Sequence, residues 1–440
     1  MHALLTRFSR ALPNELHAAL WSFVYFFALL ASYYVLRPLR DEMGMQLGSS
    51  VIHELFSSVF VCMLALVPLF GWLTRRFERK RLLPWLYAFF ITNLIGFYEI
   101  LVFSGHQSPL VARAFFVWVS VFNLFAISVF WSFMADLFST EQAKRLVGFI
   151  SAGGTLGALC GPMITWALVG PLGAKGLVLV SAALLLICIG AIWKLRRWHA
   201  RQPIVLNIDP ATLADDESTF KGSLWSGITD VLRSPYLQGI CGFMFCYSLL
   251  STFLYFQQAE LVPKAASDSS SRTQLLASMD LLVNVVTLLI QLLAFNKLIN
   301  KLGIRALLMA LPVASLIGYT ALAAAPVIAV LVALGVVRRA GEYAISKPAR
   351  ETLFNVLPPE EKYRAKNVID TLVHRTGDTS SAWIFNGLRH AGMSIQQLAW
   401  LAVPVSALWL SMAWWLGNKA QRQQARPPTG LDAVTPPHSP

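Results

Sequence analysis

Residues 18–41 of the chain read AALWSFVYFFALLASYYVLRPLRD, in which an uncharged stretch is followed at once by Arg37, Arg40 and Asp41. About 20 apolar residues in a row are enough for a helix to cross the hydrocarbon core of a bilayer. The three charges then lie at the far mouth of that helix, where a charged side chain is costly unless it faces water or a partner. The segment therefore predicts a membrane protein with a polar path, and its two cations suit an anionic solute.

The composition of the whole chain agrees with this prediction. Of the 440 residues, 56% are hydrophobic and 13% are charged, and the mean hydropathy is +0.57. Soluble domains carry about 25% charged residues. The charged fraction is thus about half the usual one, so we predict an all-α membrane protein rather than a soluble domain.

Twelve apolar spans account for most of the chain, and a polar stretch separates the first six from the last six. The predicted spans are 18–36, 51–73, 83–104, 111–134, 146–170, 173–193, 236–259, 273–295, 304–323, 326–346, 366–387 and 396–417. The residues Leu224–Arg233 at the end of the polar stretch have the pattern of an amphipathic surface helix. The predicted domains are an N-terminal six-helix bundle, a cytoplasmic central loop, a C-terminal six-helix bundle and a disordered tail, at residues 1–195, 196–235, 236–418 and 419–440.

The positions of the basic residues predict the orientation in the membrane. Most of the 36 Lys and Arg fall on the side that holds the N terminus, and few lie in the opposite loops. The basic residues on that opposite side are Arg37, Arg40, Arg113, Lys175, Lys264, Arg272 and Arg389. Because cytoplasmic loops carry the excess of Lys and Arg, both ends are predicted to be cytoplasmic. The net charge of +13 then reflects orientation and does not predict a nucleic-acid partner.

No enzyme motif is found along the sequence. There is no Gly-rich phosphate loop followed by Gly-Lys-Ser/Thr, which argues against ATP hydrolysis. There is no cluster of His, Cys and Asp at metal-ligand spacing, and all five cysteines fall inside predicted spans. We therefore predict no enzymatic activity, no cofactor and no metal site.

The two halves of the chain resemble each other at equivalent places. The fourth span ends in Asp136 and leads through Leu-Phe to Lys144 and Arg145, and the tenth leads from Glu351 through Leu-Phe to Lys362 and Arg364. A parallel repeat of six and six spans is typical of the major facilitator architecture, in which the substrate path runs between two bundles. The alternative explanation is that cytoplasmic loops attract such charges in general. We favour a true repeat because the position is the same in each half.

Several charged residues are predicted to lie at membrane depth, where they cannot comfortably face lipid. They include Asp280 with Asn284 one turn later, the pair Arg338 and Glu342, and a face of the eleventh span. That last face carries Asp370, His374 and Asp378 at successive turns, with Arg375 beside them. Such groups either join helices or bind substrate and protons. For the pair in the tenth span, and for the turn after the fourth, we favour paired structural charges, because opposite charges there can neutralise each other.

For the first-span arginines we favour the functional interpretation, since Asp41 balances only one of them. Arginine suits phosphate or carboxylate because its planar guanidinium donates two parallel hydrogen bonds and keeps its charge when desolvated. His374, between two carboxylates, is a candidate for proton coupling, although a lone histidine inside a membrane is more often a hydrogen-bonding residue.

Three blocks of sequence resemble a known family. They are SYYVLRPLRD at residues 32–41, the stretch from FWSF to EQAKRLVG at residues 130–148, and the stretch from KPARE through KYRAKNVID to RTGD at residues 347–378. These blocks are similar to motifs of the bacterial and plastid ATP/ADP translocases, the nucleotide transporter family within the major facilitator superfamily. The resemblance implies exchange of nucleotides by alternating access, in the inner membrane of a bacterium.

The chain departs from that family at positions where substrate chemistry matters. The family usually has Lys where Arg40 stands, Asp near Pro38, and Lys where Asp378 stands. The fourth span lacks the expected acidic residue, and Asn123 is its nearest polar group. We therefore identify the chain as a divergent member, for which the fold and the transport mode carry over better than the specificity for ATP and ADP.

The sequence thus predicts a secondary transporter of an anionic, phosphorylated solute, with nucleotide exchange as the leading hypothesis. The predicted partners are that small molecule and the lipid bilayer, without nucleic acid, and the protein is expected to be monomeric. Two alternatives are a proton-coupled porter for another metabolite or drug, and a membrane sensor that does not transport. The residues predicted to bind substrate are Tyr34, Arg37, Arg40, Asp41, Asn123, Asp280, Asn284, His374, Arg375 and Asp378. The residues predicted to form gate contacts are Asp136, Lys144, Arg145, Arg338, Glu342, Arg350, Glu351, Lys362, Arg364 and Asp370.

Overall fold

A computed structural model describes residues 12, 15–76, 79–103, 108–201 and 224–424 of the chain. Within these ranges the regular structure is entirely helical. The first half contains α1 (Leu16–Gln46), α2 (Ser49–Arg76), α3 (Arg79–Phe103) and α4 (Pro109–Leu137), followed by the long helical stretch Thr140–Ala200. That stretch is broken at Gly173 and so divides into α5, residues 140–172, and α6, residues 174–200.

The second half begins with a short helix and contains several broken ones. Its helices are α7 (Leu224–Arg233), α8 (Pro235–Ala265), α9 (Ser269–Leu289), α10 (Phe295–Ala324), α11 (Ile328–Gly341), α12 (Lys347–Leu353), α13 (Pro359–Asn367), α14 (His374–His390) and α15 (Ile395–Gln424). Three π-helical segments join neighbouring helices, at Ile290–Ala294, Glu342–Ser346 and Val368–Val373. The predicted tenth span, 326–346, therefore consists of α11 and the π-helical segment that follows it, and the eleventh, 366–387, of the end of α13, the next π-helical segment and most of α14.

Nine of the helices in the described part of the chain are long and apolar enough to cross a membrane, and the one broken at Gly173 holds two predicted spans. The remaining two predicted spans are the broken helices described above. This architecture confirms the predicted all-α membrane fold. Gly173 has φ 65°, a left-handed conformation that a residue with a side chain rarely adopts, and it follows Pro171 at the turn between α5 and α6.

A row of glycines allows α1 and α5 to pack against each other at very short range. A Cβ atom added at Gly157 would lie 2.3 Å from the backbone oxygen of Phe27, and one added at Gly153 would lie 2.5 Å from that of Phe23. Small residues four positions apart commonly allow this approach in membranes, where packing replaces the hydrophobic effect between helices. The glycines of α5 therefore form a helix-packing face against α1.

Each half has its own apolar core. One cluster of buried side chains joins α1, α3, α4 and the two arms of Thr140–Ala200, and another joins α8, α10, α11 and α15. These two clusters support the division into two bundles that we propose. We call the end of the molecule at which α1 begins and α15 ends the terminal end, and the other end the far end.

Two regions of the predicted domain scheme need comment. Helix α7 has the bounds predicted for the amphipathic segment, while residues 202–223 of the predicted central loop lie outside the described residues. Helix α15 continues to Gln424, so the predicted disorder of the tail is wrong for residues 419–424. Residues 419–424 continue the last turns of a membrane helix, and the charged Lys419 and Arg422 within them do not interrupt it. The rest of the predicted tail, 425–440, lies outside the described residues.

Candidate substrate cavity

A cavity of about 780 Å³ lies between the two halves. Small-molecule sites usually have volumes of about 300–1,000 Å³. Its walls come from helices α1, α2, α4, α8, α11, α12 and α14 and from the π-helical segments Glu342–Ser346 and Val368–Val373. Eight of the ten residues predicted to bind substrate line it, namely Tyr34, Arg37, Arg40, Asp41, Asn123, His374, Arg375 and Asp378. Four residues predicted for the gates line it as well, namely Arg338, Glu342, Arg350 and Asp370.

Arg37 on α1 takes part in a buried ion cluster that joins the two halves. Its Nε lies 3.6 Å from Oδ2 of Asp280 on α9, and Nη2 of Arg339 on α11 lies 2.6 Å from Oδ1 of the same carboxylate. Asp280 is 3% exposed and lies behind the two arginines rather than in the cavity wall. A buried carboxylate is stable there only because both cations neutralise it. We call this cluster the Arg37–Asp280–Arg339 bridge.

Arg40 is neutralised by its neighbour in the sequence. Its Nη2 and Nε lie 2.6 Å and 2.9 Å from Oδ1 of Asp41. The hydroxyl of Tyr255 on α8 donates to the same oxygen at 3.3 Å, so this group also spans the two halves. The guanidinium of Arg40 lies 5.1 Å from the ring centre of Phe116 on α4. Arg40 is therefore positioned from three sides, and its charge is already balanced.

Arg338 and Glu342 do not form the expected pair. Arg338 is 2% exposed and donates instead to the hydroxyls of Ser315, at 2.7 Å, and Ser251, at 2.9 Å. The rings of Tyr247, Tyr319 and Trp409 surround its guanidinium, with centroids 5.6 to 5.9 Å away. Glu342 pairs with Arg350 at 3.0 Å. The backbone between them is still α-helical, because the N–H of Glu342 bonds the oxygens of Arg338 and Arg339, so the pair is absent only because each side chain has partners elsewhere.

Helix α14 contributes a histidine–carboxylate pair and a cation. Nδ1 of His374 lies 3.2 Å from Oδ2 of Asp378, so only one of the two predicted carboxylates bonds the histidine. Asp370 lies in the π-helical segment before α14 and also lines the cavity. Arg375 lines the cavity and forms no ion pair among the described contacts, and the same holds for Lys347 at the start of α12.

The cavity has an excess of positive charge. Its cationic side chains are Arg37, Arg40, Arg338, Arg339, Lys347, Arg350 and Arg375. Its carboxylates are Asp41, Glu342, Asp370 and Asp378, and Asp280 lies just behind the wall. Even with Asp280 counted, the arginines and lysine exceed the carboxylates by two. A cavity of this kind between low-dielectric walls attracts anions.

The predicted gate residues at the terminal end are bonded within their own halves. Arg145 pairs with Glu15 at 2.7 Å in the first half, and Arg364 pairs with Asp230 at 3.0 Å in the second. Two further predicted gate residues bond inside the second half, Glu351 with Lys366 at 2.5 Å and Lys362 with Asn355 at 2.9 Å. Asp136 and Lys144 are exposed at this end.

At the far end the halves contact each other directly. Arg272 pairs with Glu42 at 3.4 Å, and the indole nitrogen of Trp383 donates to the hydroxyl of Ser57 at 2.9 Å. An apolar cluster that includes Ile52 and Phe385 covers the same region. The far end of the cavity is therefore closed by packed side chains from both halves.

Comparison with known proteins agrees with this geometry. Residues 16–338 match the model of the Major Facilitator Superfamily, which is more than half of the chain. The chain belongs to the major facilitator superfamily.

Solved structures of this transporter fold resemble it over nearly their whole length. A structure of the nucleoside transporter NupG matches with a TM-score of 0.63 and 12% sequence identity. The match covers 92% of this chain and 99% of the NupG chain. An auto-inhibited POT family peptide transporter matches with a TM-score of 0.61 and 15% sequence identity. That match covers 93% of this chain and 98% of the peptide transporter.

The curated relatives are nucleotide carriers, as the resemblance of the motifs predicted. ADP,ATP carrier protein 1 of Chlamydia muridarum is 22% identical over 340 residues, which is 68% of this chain and 63% of that protein. The protein of the same name from Chlamydia trachomatis is 22% identical over 324 residues, 65% of this chain and 60% of that protein. The chain thus spans about three fifths of the length of the curated relatives it matches. It is a membrane transporter of the major facilitator type, and these findings do not favour the predicted alternative of a non-transporting sensor.

Sequence reasoning missed several parts of the transporter's cavity. Lys347, Arg339 and Tyr255 were not among the predicted site residues, although Lys347 opens one of the family-like motifs and Arg339 stands inside a predicted span. Conversely, Asn284 lies outside the cavity wall, and its Nδ2 donates to the backbone oxygen of Ala158 at 2.7 Å, which joins α9 to α5. The described residues contain no group of three or more His, Cys, Asp or Glu that could hold a metal ion.

Proposed function

We propose that the transporter exchanges anionic, phosphorylated solutes across the membrane, with nucleotides of the ATP and ADP type as its substrates. The observation that carries this proposal is the cation excess in the cavity between the halves. The similarity to ADP,ATP carrier proteins supports the same class of substrate.

Two classes of cation line the cavity, and they have different roles in the proposal. Lys347 and Arg375 have no ion pair among the described contacts and so bind an entering anion first. Arg37 and Arg40 are paired to carboxylates and bind it only as those pairs rearrange. Arginine suits phosphate oxygens because its planar fork donates two parallel hydrogen bonds.

We propose that the structure represents an inward-open state. The terminal end is cytoplasmic in this proposal because Lys and Arg concentrate there, and its gate residues bond within their own halves. On closure, Arg145, Arg364 and the neighbouring gate charges exchange these partners for partners in the other half, while the far-end contacts of Glu42 and Trp383 break. The protein then acts as a monomer in the inner membrane of a bacterium, since the cavity lies within one chain.

Equilibrium binding to purified protein tests the substrate class. ATP and ADP are expected to bind, and adenosine is expected to bind far more weakly because it lacks the phosphates that the cations attract. Inorganic tripolyphosphate is the matched control for the anionic part alone. Adenosine binding as tight as ATP binding would contradict the proposal, because the cation excess would then have no role in recognition.

A proton-coupled porter is the second candidate, and the His374–Asp378 pair favours it. The pair lines the cavity, and histidine is the side chain most often used to carry protons in proteins. This candidate predicts uptake into vesicles that is driven by an imposed pH gradient and needs no internal substrate. If an imposed pH gradient drives no uptake, and removing it leaves exchange unchanged, the candidate is wrong.

A further inference from the structure

A second and smaller cavity, of about 240 Å³, lies beside the main one. We call it the side cavity. It is bounded by α1, α5, α9 and the two π-helical segments that follow α9 and α11. Leu30, Tyr34 and Tyr343 lie in the walls of both cavities. Since ligand sites usually exceed about 300 Å³, the side cavity is large enough for part of a small molecule rather than for a whole one.

The lining of the side cavity differs in kind from that of the main cavity. None of its described lining residues carries a charge. The polar groups are hydroxyls and amides, from Ser151, Thr155, Asn284, Thr287 and Gln291, and the aromatic rings are those of Phe26, Tyr34 and Tyr343. A phosphate gains no ion pair from this surface, and a hydrocarbon chain would leave its polar groups without partners. The lining suits an uncharged, flat group that forms hydrogen bonds.

The hydrogen bonds among the lining residues indicate which kind of ligand group would complement the side cavity. Nδ2 of Asn284 donates to Ala158, and Nε2 of Gln291 donates to the backbone oxygen of Tyr343 at 3.4 Å. The hydroxyl of Thr155 donates to Ser151 at 3.3 Å, and that of Thr287 donates to its own helix at 2.7 Å. These bonds use the hydroxyl donor of each threonine and one of the two N–H donors of each amide, and they leave the side-chain oxygens of all four residues as acceptors. A ligand group with N–H donors complements them.

The two cavities adjoin at the residues that line both of them. Tyr34 lies in both walls, and the guanidinium carbon of Arg37 is 5.8 Å from the centre of its ring. The π-helical segments also favour a ligand here, because such segments occur frequently at functional sites and two of them supply Gln291 and Tyr343.

We propose that the side cavity binds an aromatic ring bearing an amino group, which is the uncharged end of the transported anion. The anionic end remains among the cations of the main cavity. This inference rests on the proposed function, because it takes the main cavity to bind that anionic end. The alternative occupant is a lipid acyl chain, which does not need the acceptors.

Filling the side cavity tests the inference. Thr155→Phe and Thr287→Phe place a large side chain in it, and each replaces a hydroxyl that bonds only to its own helix. Thr320→Phe is the matched control, because Thr320 is an exposed residue of α10 with the same kind of bond, to Leu316 at 2.8 Å.

Calorimetry on the folded, purified transporter compares the binding of ATP with that of inorganic tripolyphosphate. We expect ATP to bind about tenfold or more weakly to the two cavity variants, because base stacking is lost. Tripolyphosphate affinity and the Thr320→Phe variant are expected to match the wild type.

A comparison of ligands on the wild-type protein needs no variant to fold. Inosine triphosphate carries a keto group where ATP carries the amino group, and we expect it to bind severalfold more weakly. Equal affinity of the wild type for ATP, inosine triphosphate and tripolyphosphate overturns the side-cavity proposal and leaves the proposed function standing. So does unchanged ATP affinity in folded cavity variants. If the wild type binds neither ATP nor tripolyphosphate, the proposed function itself fails.

Discussion

Nε of Arg37 lies 3.6 Å from Oδ2 of Asp280, although the two residues are 243 positions apart and belong to different halves of the transporter. The other oxygen of the carboxylate binds Arg339, so one buried group holds a cation from each half. An anionic substrate presents the same kind of oxygen to the same guanidinium groups. In the proposed function, substrate binding would compete with the contact between the halves for Arg37, and occupancy of the cavity would thereby be coupled to movement of the bundles.

Asp280→Asn should destabilise the empty transporter and increase the stabilisation that an anion gives it. The substitution leaves two cations with one neutral partner, and breaking a buried ion pair costs about 3 kcal/mol, the low end of the usual range, because Arg339 is partly exposed. Thermal unfolding with and without tripolyphosphate measures both effects. Asp268→Asn, at the exposed N-cap of the same helix, is the control, since asparagine caps a helix about as well. Equal ligand-induced shifts in Asp280→Asn and wild type would show that the bridge does not compete with substrate.

Arg40→Ala should abolish uptake. The double variant Arg40→Ala with Asp41→Asn should distinguish the loss of an anion ligand from the loss of protein stability. The single variant leaves Asp41 buried without its cation, which destabilises the protein as well as removing an anion ligand. The double variant removes both charges and is expected to recover the melting temperature while uptake stays absent. Uptake at the wild-type rate in the folded double variant would remove Arg40 from the substrate site.

Lys347→Gln and Arg375→Gln should weaken nucleotide binding with little loss of stability. Both cations line the cavity without an ion pair among the described contacts, so their removal leaves no carboxylate unpaired. A hydrogen bond to a charged group contributes about 1.5–3 kcal/mol, which predicts at least about tenfold weaker ATP binding for each variant. Lys301→Gln, at an exposed position of α10 outside the cavity, is the control. Affinities equal to that of the control would show that the two cations do not contact the substrate.

Gly157→Ala should destabilise the transporter more than Gly148→Ala does. Both glycines lie in α5, but a Cβ at position 157 would lie 2.3 Å from a backbone oxygen of α1, whereas one at position 148 meets nothing within 4 Å. The second substitution should even gain up to about 1 kcal/mol of helix propensity. Melting temperatures of the two variants in the same detergent measure the difference. Similar values would mean that α1 and α5 do not need this close approach.

The helices of the transporter were largely predictable from local sequence, because a membrane span is a long apolar run and its ends are marked by charge. The charged residues 37, 40 and 41 correctly indicated the cavity, because a charged side chain at membrane depth almost always faces a polar cavity or a partner. The same reasoning placed Asp378 beside His374, one helical turn away, and the structure bears out that contact.

The pairing of Arg338 and the position of Asn284 were not predictable in the same way. The spacing does place Arg338 and Glu342 one turn apart, but Arg338 bonds the hydroxyls of two serines on other helices, and Glu342 pairs with Arg350. The partner of Asn284 is a backbone oxygen on α5, and the Arg37–Asp280 contact joins distant helices. Contacts of this kind depend on how the two bundles meet, which a single sequence does not encode in any local pattern.

Counter-exchange in proteoliposomes tests the central claim most directly. Labelled ATP is supplied outside vesicles that contain the purified transporter and are loaded with ADP, with phosphate or with buffer alone. The account predicts rapid uptake with internal ADP and little uptake with buffer alone, and it predicts that Arg375→Gln slows the exchange. Absence of ATP uptake under every loading, by protein shown to be folded, would contradict nucleotide exchange as the function of this cavity.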